Sequence, residues 1–421
     1  MTALAGPRAR AIPRLRGITI GFPRLTRRGW FVLAGAAVAI IVGVLAGWRD
    51  LFYAGCLLAA LVAAGALAIR LRASSLAVNR RTNPEVVPVG ESTTVELDVI
   101  NTAWLRTGPQ SWRDLVPRGF TAPPPAMLES LGSRGDRGSV ARLGYALTPS
   151  ERGIAEIGPM LVERTDPFGL AVHERLVGTT STLTVLPRIT PLDGGAPGRS
   201  SISDTVAPAW KTGHGSDDVI AREYRSGDAL RHVHWRATAH RGELMVRQEQ
   251  SQDEARALVL LDTRRERYAT AAAFEWAVEY AASLLDHLAK AGVGAQLMET
   301  RPATGATGVL GTAREALLSL ATVERRAAGR SAAGDYLPRL GDLLGVAPSP
   351  LWAVLGDAPD AELRELAALK SRTAGASVVL VGEPDREPPD ELWFAGWQCG
   401  VAATGADVAQ VWRDAGGRGV R

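Results

Sequence analysis

Lysine is nearly missing from this chain of 421 residues: Lys211, Lys290 and Lys370 are the only three, and arginine supplies the rest of the 48 basic residues. That bias reads as a mark of a GC-rich genome rather than of function. Cysteine is scarcer still. Cys56 lies in an apolar run and Cys399 near the C-terminus, so a disulfide framework and a cysteine zinc site are both excluded, and a reducing compartment is compatible with the count. No glycine-rich loop ending in Gly-Lys-Ser/Thr occurs, which argues against intrinsic ATP hydrolysis; Gly305, Gly308 and Gly311 read as a linker before a helix rather than a phosphate loop. No serine or cysteine stands in a nucleophile-elbow context. Strong charge of one sign is lacking too, since the net charge is only +4.

The positive charge that exists gathers before residue 30, as Arg8, Arg10, Arg14, Arg16, Arg24, Arg27 and Arg28. Nucleic-acid binding is one explanation of such a cluster; the apolar runs next to it favour a membrane flank. Hydrophobic residues make up 46% of the chain, and the excess is local. Residues 30–47 carry no charge, and neither do residues 51–69. Each run is close to the roughly 20 residues that a helix needs to cross a bilayer core. Only Trp48, Arg49 and Asp50 separate them, which forces an antiparallel helical hairpin. Gly43 and Gly47 have the spacing that allows close helix approach, although alanine- and glycine-rich composition accounts for them equally well. Arg70, Arg72, Arg80 and Arg81 after the second run match the arginines before the first. The positive-inside rule then predicts a two-pass protein of the inner (plasma) membrane, with its N-terminus and soluble domains cytoplasmic. A cleavable signal peptide fits less well, because the first run is long and a second succeeds it at once.

From residue 76 to 190 the texture is that of strands. Thr93-Thr94-Val95-Glu96-Leu97-Asp98-Val99-Ile100 alternates, and residues 140–147, 154–162, 170–175 and 181–186 are strand-like. Prolines and glycines punctuate them at the intervals of a β-sandwich, of immunoglobulin- or fibronectin-like kind. Residues 111–137, with Pro123-Pro124-Pro125, break the rhythm and read as a long mobile loop. In Asp166-Pro167-Phe168-Gly169-Leu170 the proline fixes a turn, the glycine supplies a permissive φ, and Phe168 is expected to anchor the loop in the core. Residues 191–216 read as a linker rich in Gly, Ser, Pro and Asp. Beyond Arg256 strands and helices alternate: strand 257–262, helix 270–291, strand 293–298, helix 312–324, strand 351–355, helix 361–373, strand 377–381, then a last strand and helix. Such alternation predicts a mostly parallel sheet with helices on both faces.

Between linker and α/β domain, residues 217–250 crowd charges of both signs, Tyr224, Trp235 and three histidines among small residues, with no amphipathic period. Gly227-Asp228 reads as a turn and helix N-cap, Leu230, Val233 and Ala237 share a helical face, and residues 243–249 read as a strand. Two roles stay open. Arg222, Glu223, Tyr224, Asp228, Arg231 and Trp235 form a surface that docks a partner, or an internal ion-pair network that locks the segment onto its neighbour. His214, His232, His234 and His240 gather here, but His232 and His234 fall on different faces of a helix and no cysteine accompanies them, which disfavours a metal site.

Arg222-Glu223-Tyr224, Gly227-Asp228, Arg231, His234-Trp235 and Leu244-Met245-Val246-Arg247 closely resemble the signature of the bacterial family called domain of unknown function 58. Glu151-Arg152-Gly153 and the Asp166–Leu170 phrase resemble that family as well. One departure is visible: the family usually carries Ala-Arg after the tryptophan, whereas here Ala239 is followed by His240 and then Arg241. The resemblance implies a membrane-anchored bacterial protein with a basic tail (1–29), paired membrane helices (30–69), the β-sandwich (76–190), the linker (191–216), the signature (217–250) and a von Willebrand factor A-like α/β domain (256–416).

That fold often holds a divalent metal through Asp-x-Ser-x-Ser after its first strand, because hydroxyls and a carboxylate must converge on a hard cation. Here the positions read Asp262-Thr263-Arg264-Arg265-Glu266. Both hydroxyl positions are lost, one to a cation that repels metal. Asp357 falls where a later metal-site aspartate would sit. The expectation is a degenerate, metal-free pair, Asp262 and Asp357, with no cofactor. Members of the family are often encoded beside a MoxR-type AAA+ ATPase and a transglutaminase-like membrane protein. The resemblance therefore implies a non-enzymatic adaptor or scaffold that works with such an ATPase in complex assembly, maturation or cell-envelope processes, with the lipid bilayer and other membrane proteins as further partners. The rivals are a metal-dependent von Willebrand A-type binding protein, and a hydrolase or transferase using Asp262, Asp357 or the His232, His234 and His240 cluster.

Overall fold

The computed structural model describes residues 23–71, 75–121, 123–192, 221–223, 245–247, 256–303, 309–327, 336–345, 348–382 and 388–417. The chain divides into two compact units, Met1–Arg188 and Ile189–Arg421.

In the first unit a short strand β1 (Arg24–Leu25) leads into helix α1 (Arg27–Ala46), and helix α2 (Arg49–Leu71) returns antiparallel to it. Thr26 starts α1 by accepting the Gly29 N–H at 3.0 Å, the role expected of an N-cap hydroxyl. Gly47 ends it with a φ of 70°, a conformation that costs glycine least. Of the two glycines expected at the helix contact, only Gly43 is there: a Cβ on it would lie 2.7 Å from the Phe52 nitrogen. The partner contact comes from Gly55, where a Cβ would lie 2.9 Å from the Ala36 carbonyl oxygen. Phe31, Ile41, Val44, Leu45, Tyr53, Leu57 and Leu67 are exposed on the hairpin's outside. Both helices are long and apolar enough to cross a membrane.

The strands beyond the hairpin are β2 (Leu76–Asn83), β3 (Val86–Pro88), β4 (Thr93–Asn101), β5 (Gln110–Asp114), β6 (Ala126–Leu128), β7 (Val140–Leu147), β8 (Gly153–Ile157), β9 (Met160–Thr165), β10 (Ala171–Val177) and β11 (Ser181–Leu186). They form three sheets, in the orders β1-β10-β9-β5-β6, β3-β11-β8 and β2-β4-β7, antiparallel except for the β3–β11 pair. Val95, Leu97 and Val99 of β4, Trp112 of β5, Ile157 of β8, Val162 of β9 and Leu183 of β11 share one core. Alternation along β4 thus builds a half-buried strand, as its sequence requires.

Two expectations fail here. The single strand expected over 154–162 is two strands in different sheets, because the chain turns at Gly158, whose φ is 92° and whose Cα faces the Arg80 guanidinium too closely for a side chain. The long mobile loop expected over 111–137 contains most of β5 and all of β6. The alternation of β5 is hidden in the sequence because its inward positions are Gln110, Trp112 and Asp114, two of them polar. Asp114 is satisfied by Arg80, which donates from Nε at 2.8 Å and from Nη2 at 2.6 Å, and by the Tyr145 hydroxyl at 2.7 Å. The Arg80 and Asp114 side chains are 3% and 0% exposed. Arg80 is therefore an internal cation of the sandwich, not one of the free charges flanking the membrane. Burial, then the charge of Asp114, pushes the Tyr145 phenol well above its ordinary range.

In the second unit a two-stranded antiparallel ribbon, β12 (Ala221–Glu223) and β13 (Met245–Arg247), precedes the α/β domain. The domain runs β14 (Ala257–Leu261), α3 (Ala271–Lys290), β15 (Ala295–Glu299), β16 (Val309–Leu310), α4 (Ala313–Leu320), α5 (Tyr336–Leu344), β17 (Ser349–Leu355), α6 (Asp360–Ala368), β18 (Thr373–Val381), α7 (Asp390–Phe394), β19 (Gln398–Ala402) and α8 (Val408–Gly417). One sheet holds its strands in the order β16-β15-β14-β17-β18-β19, parallel except for the edge strand β16. Trp276 and Leu284 of α3, Leu320 of α4 and Trp412 of α8 pack on one face, and Leu340 of α5, Leu363 of α6 and Leu392 of α7 on the other. Strands covered on both faces read as unbroken apolar runs such as Ala257–Leu261, which is why sequence finds them. The helix expected over 361–373 is shorter: it gives way to a 3-10 turn, Leu369–Arg372, and Thr373 already belongs to β18.

Replacing Asp114 by alanine strands the Arg80 guanidinium in the sandwich interior. Removing one partner of a buried pair costs about 3–5 kcal/mol. The expected outcome is a loss of that size for the first unit, measured by urea-pulse proteolysis of the full chain, with cleavage of the second unit unmoved.

Candidate functional site

Strand order reverses between β14 and β17, so the loops leaving these two neighbours diverge at the carboxyl end of the sheet. In open α/β sheets this is where ligands bind. The first residue beyond β14 is Asp262, 0% exposed. A carboxylate so buried needs partners. Its Oδ1 accepts the Thr300 hydroxyl at 2.9 Å and the Arg264 N–H at 3.0 Å. The Arg264 side chain folds back on it, donating from Nε to Oδ1 and from Nη2 to Oδ2, each at 2.8 Å.

The same guanidinium reaches a second carboxylate. Arg264 Nη2 donates to Glu362 Oε1 at 2.5 Å and Nη1 to Oε2 at 3.1 Å. Glu362 stands in the first turn of α6 and also accepts Arg267 Nη2 at 2.9 Å and the Tyr336 hydroxyl at 2.8 Å. Tyr336, at the start of α5, lies under the Arg264 guanidinium, 5.3 Å from ring centroid to Cζ. Burial alone would lower the pKa of Arg264, but the hydrogen bonds and charges of Asp262 and Glu362 outweigh it and raise the value. Burial, followed by the charge of Glu362, holds the Tyr336 phenol well above its ordinary range, and burial with Asp262 does the same for Tyr268.

A second layer of ion pairs surrounds this centre. Arg326 pairs with Glu299 and donates to the Arg301 carbonyl at 2.6 Å. Its backbone N–H donates to the Thr263 carbonyl at 2.7 Å while its carbonyl accepts the Arg265 N–H at 2.9 Å. Arg301 pairs with Glu266 at 2.8 Å, and that bond first of all holds the Glu266 carboxyl below its ordinary range.

The carboxylate that Arg264 joins to Asp262 is thus Glu362, which sequence reasoning did not name beside Asp262 and Asp357. Asp357 is exposed, and its backbone N–H donates to the Arg267 carbonyl at 2.7 Å. Glu362 and Tyr336 are hidden from sequence reasoning because an acid in the first turn of a helix is ordinary, and nothing nearby marks the tyrosine. A divalent cation needs several oxygens about 2.0–2.6 Å away. Here a guanidinium stands between the two carboxylates and the Ser positions are Arg264 and Glu266, so the residues do not fit such an ion. Among the described residues no group of three or more His, Cys, Asp and Glu side chains could hold a metal.

The signature falls mostly outside the described residues. Tyr224, Gly227, Asp228, Arg231, His234 and Trp235 lie there, as do His214, His232 and His240, the expected helix at 230–237 and most of the linker. The described part is the ribbon: Arg222 pairs with Val246, Glu223 with Met245 and Ala221 with Arg247. The first and last pieces of the signature are therefore neighbours on paired strands. The strand expected over 243–249 is described over Met245–Arg247.

Arg264→Ala leaves the buried Asp262 carboxylate without its guanidinium, and about 3–5 kcal/mol of stability should be lost. Lysine at that position should restore only part of it, because a point charge cannot make both bidentate contacts. Denaturant titration measures both effects, and neither magnesium nor a chelator should move the wild-type midpoint.

A second expectation concerns alkali. Tyr268, Tyr280 and Tyr336 all have raised pKa values, chiefly from burial. Their protonated forms are favoured by folding, so this contribution is intact below the ordinary tyrosine value of about 10 and is lost as pH rises beyond it. Tyrosinate absorbance from these three of the six tyrosines should appear together with the loss of far-ultraviolet circular dichroism, not before it.

Comparison with known proteins adds little at the level of whole folds. The CARDB domain of the PF1109 protein from Pyrococcus furiosus, solved in complex with di-metal ions, shares 20% identity over 27% of this chain and 89% of that one, with a TM-score of 0.20. A beta-glucosidase from Listeria innocua, in complex with isofagomine, shares 16% over 25% of this chain and 16% of its own, with a TM-score of 0.16. The alkylpurine DNA glycosylase AlkC from Pseudomonas fluorescens shares 11% over 34% and 42%, with a TM-score of 0.17. Likenesses this slight carry no inference about function. No curated protein matches the chain. Residues 220–344, which hold most of the signature and the first half of the α/β domain, match the model of the family described as Protein of unknown function DUF58.

Proposed function

We propose that this chain is a member of that family throughout its length and acts as a non-enzymatic adaptor tethered to the inner membrane, presenting its signature and a von Willebrand factor A-like domain to a MoxR-type AAA+ ATPase in the cytoplasm. The observation that carries this reading is the closure of the sheet's carboxyl edge. The place where the fold would put a ligand or a metal is filled by Arg264, which satisfies Asp262 and Glu362 at once. Carboxylates locked to a guanidinium are poor general bases, so the edge offers a fixed shape and charge pattern in place of a reaction centre.

Further support comes from the strand order with its single antiparallel edge strand, which the von Willebrand A fold shares, and from the two apolar helices at the N-terminus. A hairpin with basic flanks holds both units on the cytoplasmic side, where the ATPase is. Tethering also raises the effective concentration of the module for clients in the same membrane.

The test is co-purification. The tagged full chain is solubilised from membranes with a co-expressed MoxR-type ATPase, alongside Arg222→Ala and Trp235→Ala variants checked for folding by limited proteolysis. Wild type should retain the ATPase and each variant should lose roughly tenfold or more of it, the scale of 1.4 kcal/mol in affinity. Undiminished binding by both folded variants would remove the signature from this role, and no binding by wild type would overturn the adaptor reading.

A further inference from the structure

We propose that the end of the β-sandwich next to the helical hairpin is itself a lipid-binding surface, in which Phe168, Trp104 and Leu105 insert at head-group level and Arg106, Arg134 and Arg137 face anionic lipid phosphates. This rests on the reading of α1 and α2 as membrane spans.

The first observation is the β9–β10 turn. Sequence reasoning puts Phe168 in the core, yet it is 59% exposed, while Leu170 is the buried apolar residue of that phrase. The buried Asp166 carboxylate shapes the turn by accepting the Phe168 N–H at 3.1 Å and the Ala171 N–H at 2.7 Å. The turn is seated on both helices. Thr26, the N-cap of α1, donates its hydroxyl to the Gly169 carbonyl at 2.6 Å and its N–H to the Leu170 carbonyl at 2.9 Å. Gly29 is packed so tightly on the Leu170 carbonyl that no side chain fits, and a Cβ on Gly65 would lie 3.0 Å from Asp166 Oδ2. Gly65 stands six residues before the end of α2 at Leu71, which at 1.5 Å per residue is about 9 Å along the helix. A turn that climbs this far up a spanning helix stands in the interfacial layer, and the phenyl ring it leaves uncovered by protein meets lipid.

A second, independent observation is the β4–β5 loop. β5 pairs antiparallel with β9, Ser111 opposite Glu163, so residues 102–109 run beside the exit of β9 towards the same turn. A Cβ on Gly108 would lie 3.4 Å from Arg164 Nη2. The loop is also tied to the point where the chain leaves the hairpin: Thr102 donates its N–H to the Ser75 carbonyl at 2.8 Å, and Ser75 comes four residues after Leu71, at most about 14 Å of chain. At its tip Trp104 and Leu105 are 79% and 74% exposed. The Arg134 guanidinium lies 5.7 Å from the Trp104 ring centroid, and Arg106 and Arg137 are exposed beside it. The β6–β7 loop, residues 129–139, carries two carboxylates: Asp136 is turned to the Ser133 hydroxyl at 2.6 Å, and Glu129 stands where the chain leaves β6. Tryptophan and leucine within a ring of arginines, next to the root of two spans, match an anionic leaflet better than an aqueous surface.

The test is site-directed spin labelling of the full chain in lipid nanodiscs. Cys56→Ser removes the exposed thiol; Cys399 stays, because it is buried and its thiol is pushed up to about 12. Labels are placed through Trp104→Cys and Phe168→Cys, with Leu45→Cys inside α1 and Glu91→Cys at the far end of β4 as references. Labels at 104 and 168 should be several-fold more accessible to oxygen than to a nickel chelate, like Leu45 and unlike Glu91. Phosphatidylglycerol added to phosphatidylcholine should deepen the 104 label, and Arg106→Glu with Arg134→Glu should cancel that effect. Labels at 104 and 168 that behave like Glu91, while Leu45 reports lipid, would overturn the surface and leave the spans standing. A Leu45 label in water would remove both. A 104 label shielded from both reagents would replace the lipid with a protein neighbour and so refute the proposal.

Discussion

A single guanidinium lies between two carboxylates at the carboxyl edge of the sheet, and the arrangement of that edge depends on it. Asp262 and Glu362 come from different elements, and their like charges repel unless a cation stands between them. Arg264 supplies it from two residues beyond Asp262, so the first half of the contact forms as soon as β14 ends. The second half closes only when α6 arrives with Glu362. Arg267 then joins Glu362 to the backbone of Asp357, and Arg326 ties the segment after α4 to the same edge. Such a network is weak evidence of net stability, since an apolar replacement can do as well, but breaking it is costly. Its effect is to tie together the segments that follow β14, β15, β17 and α4.

That constraint bears directly on function. A metal ion at a sheet edge is exchangeable and leaves a coordination site for a partner's carboxylate; a guanidinium built into the chain is permanent and leaves none. On the adaptor reading proposed above, a partner would meet the exposed Arg265 and the rim pair of Glu266 and Arg301, a fixed charge pattern and shape. The paired strands β12 and β13 obey similar logic. They bring the Arg222-Glu223 and Met245-Val246-Arg247 pieces of the signature side by side, so residues far apart in sequence are paired on neighbouring strands.

The features that sequence reveals and those it hides have a common cause. The buried strands of the parallel sheet, the long amphipathic α3 and the alternating β4 and β7 are legible because their burial is carried by apolar residues at a regular period. Where burial is carried by charge, the period vanishes. β5 places Gln110 and Asp114 inward and so reads as loop; Arg80, its cation, reads as a membrane-flanking charge though it lies in the interior. Of the site, Asp262 is legible because it adjoins an obvious strand. Glu362 is not, because its role depends on Arg264, a contact across 98 residues. Phe168 shows the converse error: an apolar residue reads as core, while its turn is recruited to the root of the hairpin.

The same turn decides how the sandwich is carried. If the hairpin were joined to it only through the chain at residues 72–74, the sandwich would be free to pivot about that joint. Instead β1 adds Arg24 and Leu25 to the edge of β10, Thr26 binds the turn through backbone and side chain together, and α2 touches the same turn at Gly65. The hairpin thus meets this turn at two places, by hydrogen bonds from Thr26 and by close packing at Gly65. A side chain on Gly29 would push the turn away from α1, and one on Gly65 would crowd the Asp166 carboxylate, so the joint favours glycine at both positions although each lowers helix propensity by about 1 kcal/mol. Where the hairpin spans a bilayer, as proposed above, a sandwich held at these two places keeps one end towards the leaflet, and an aromatic residue bared at that end has lipid rather than water as its solvent.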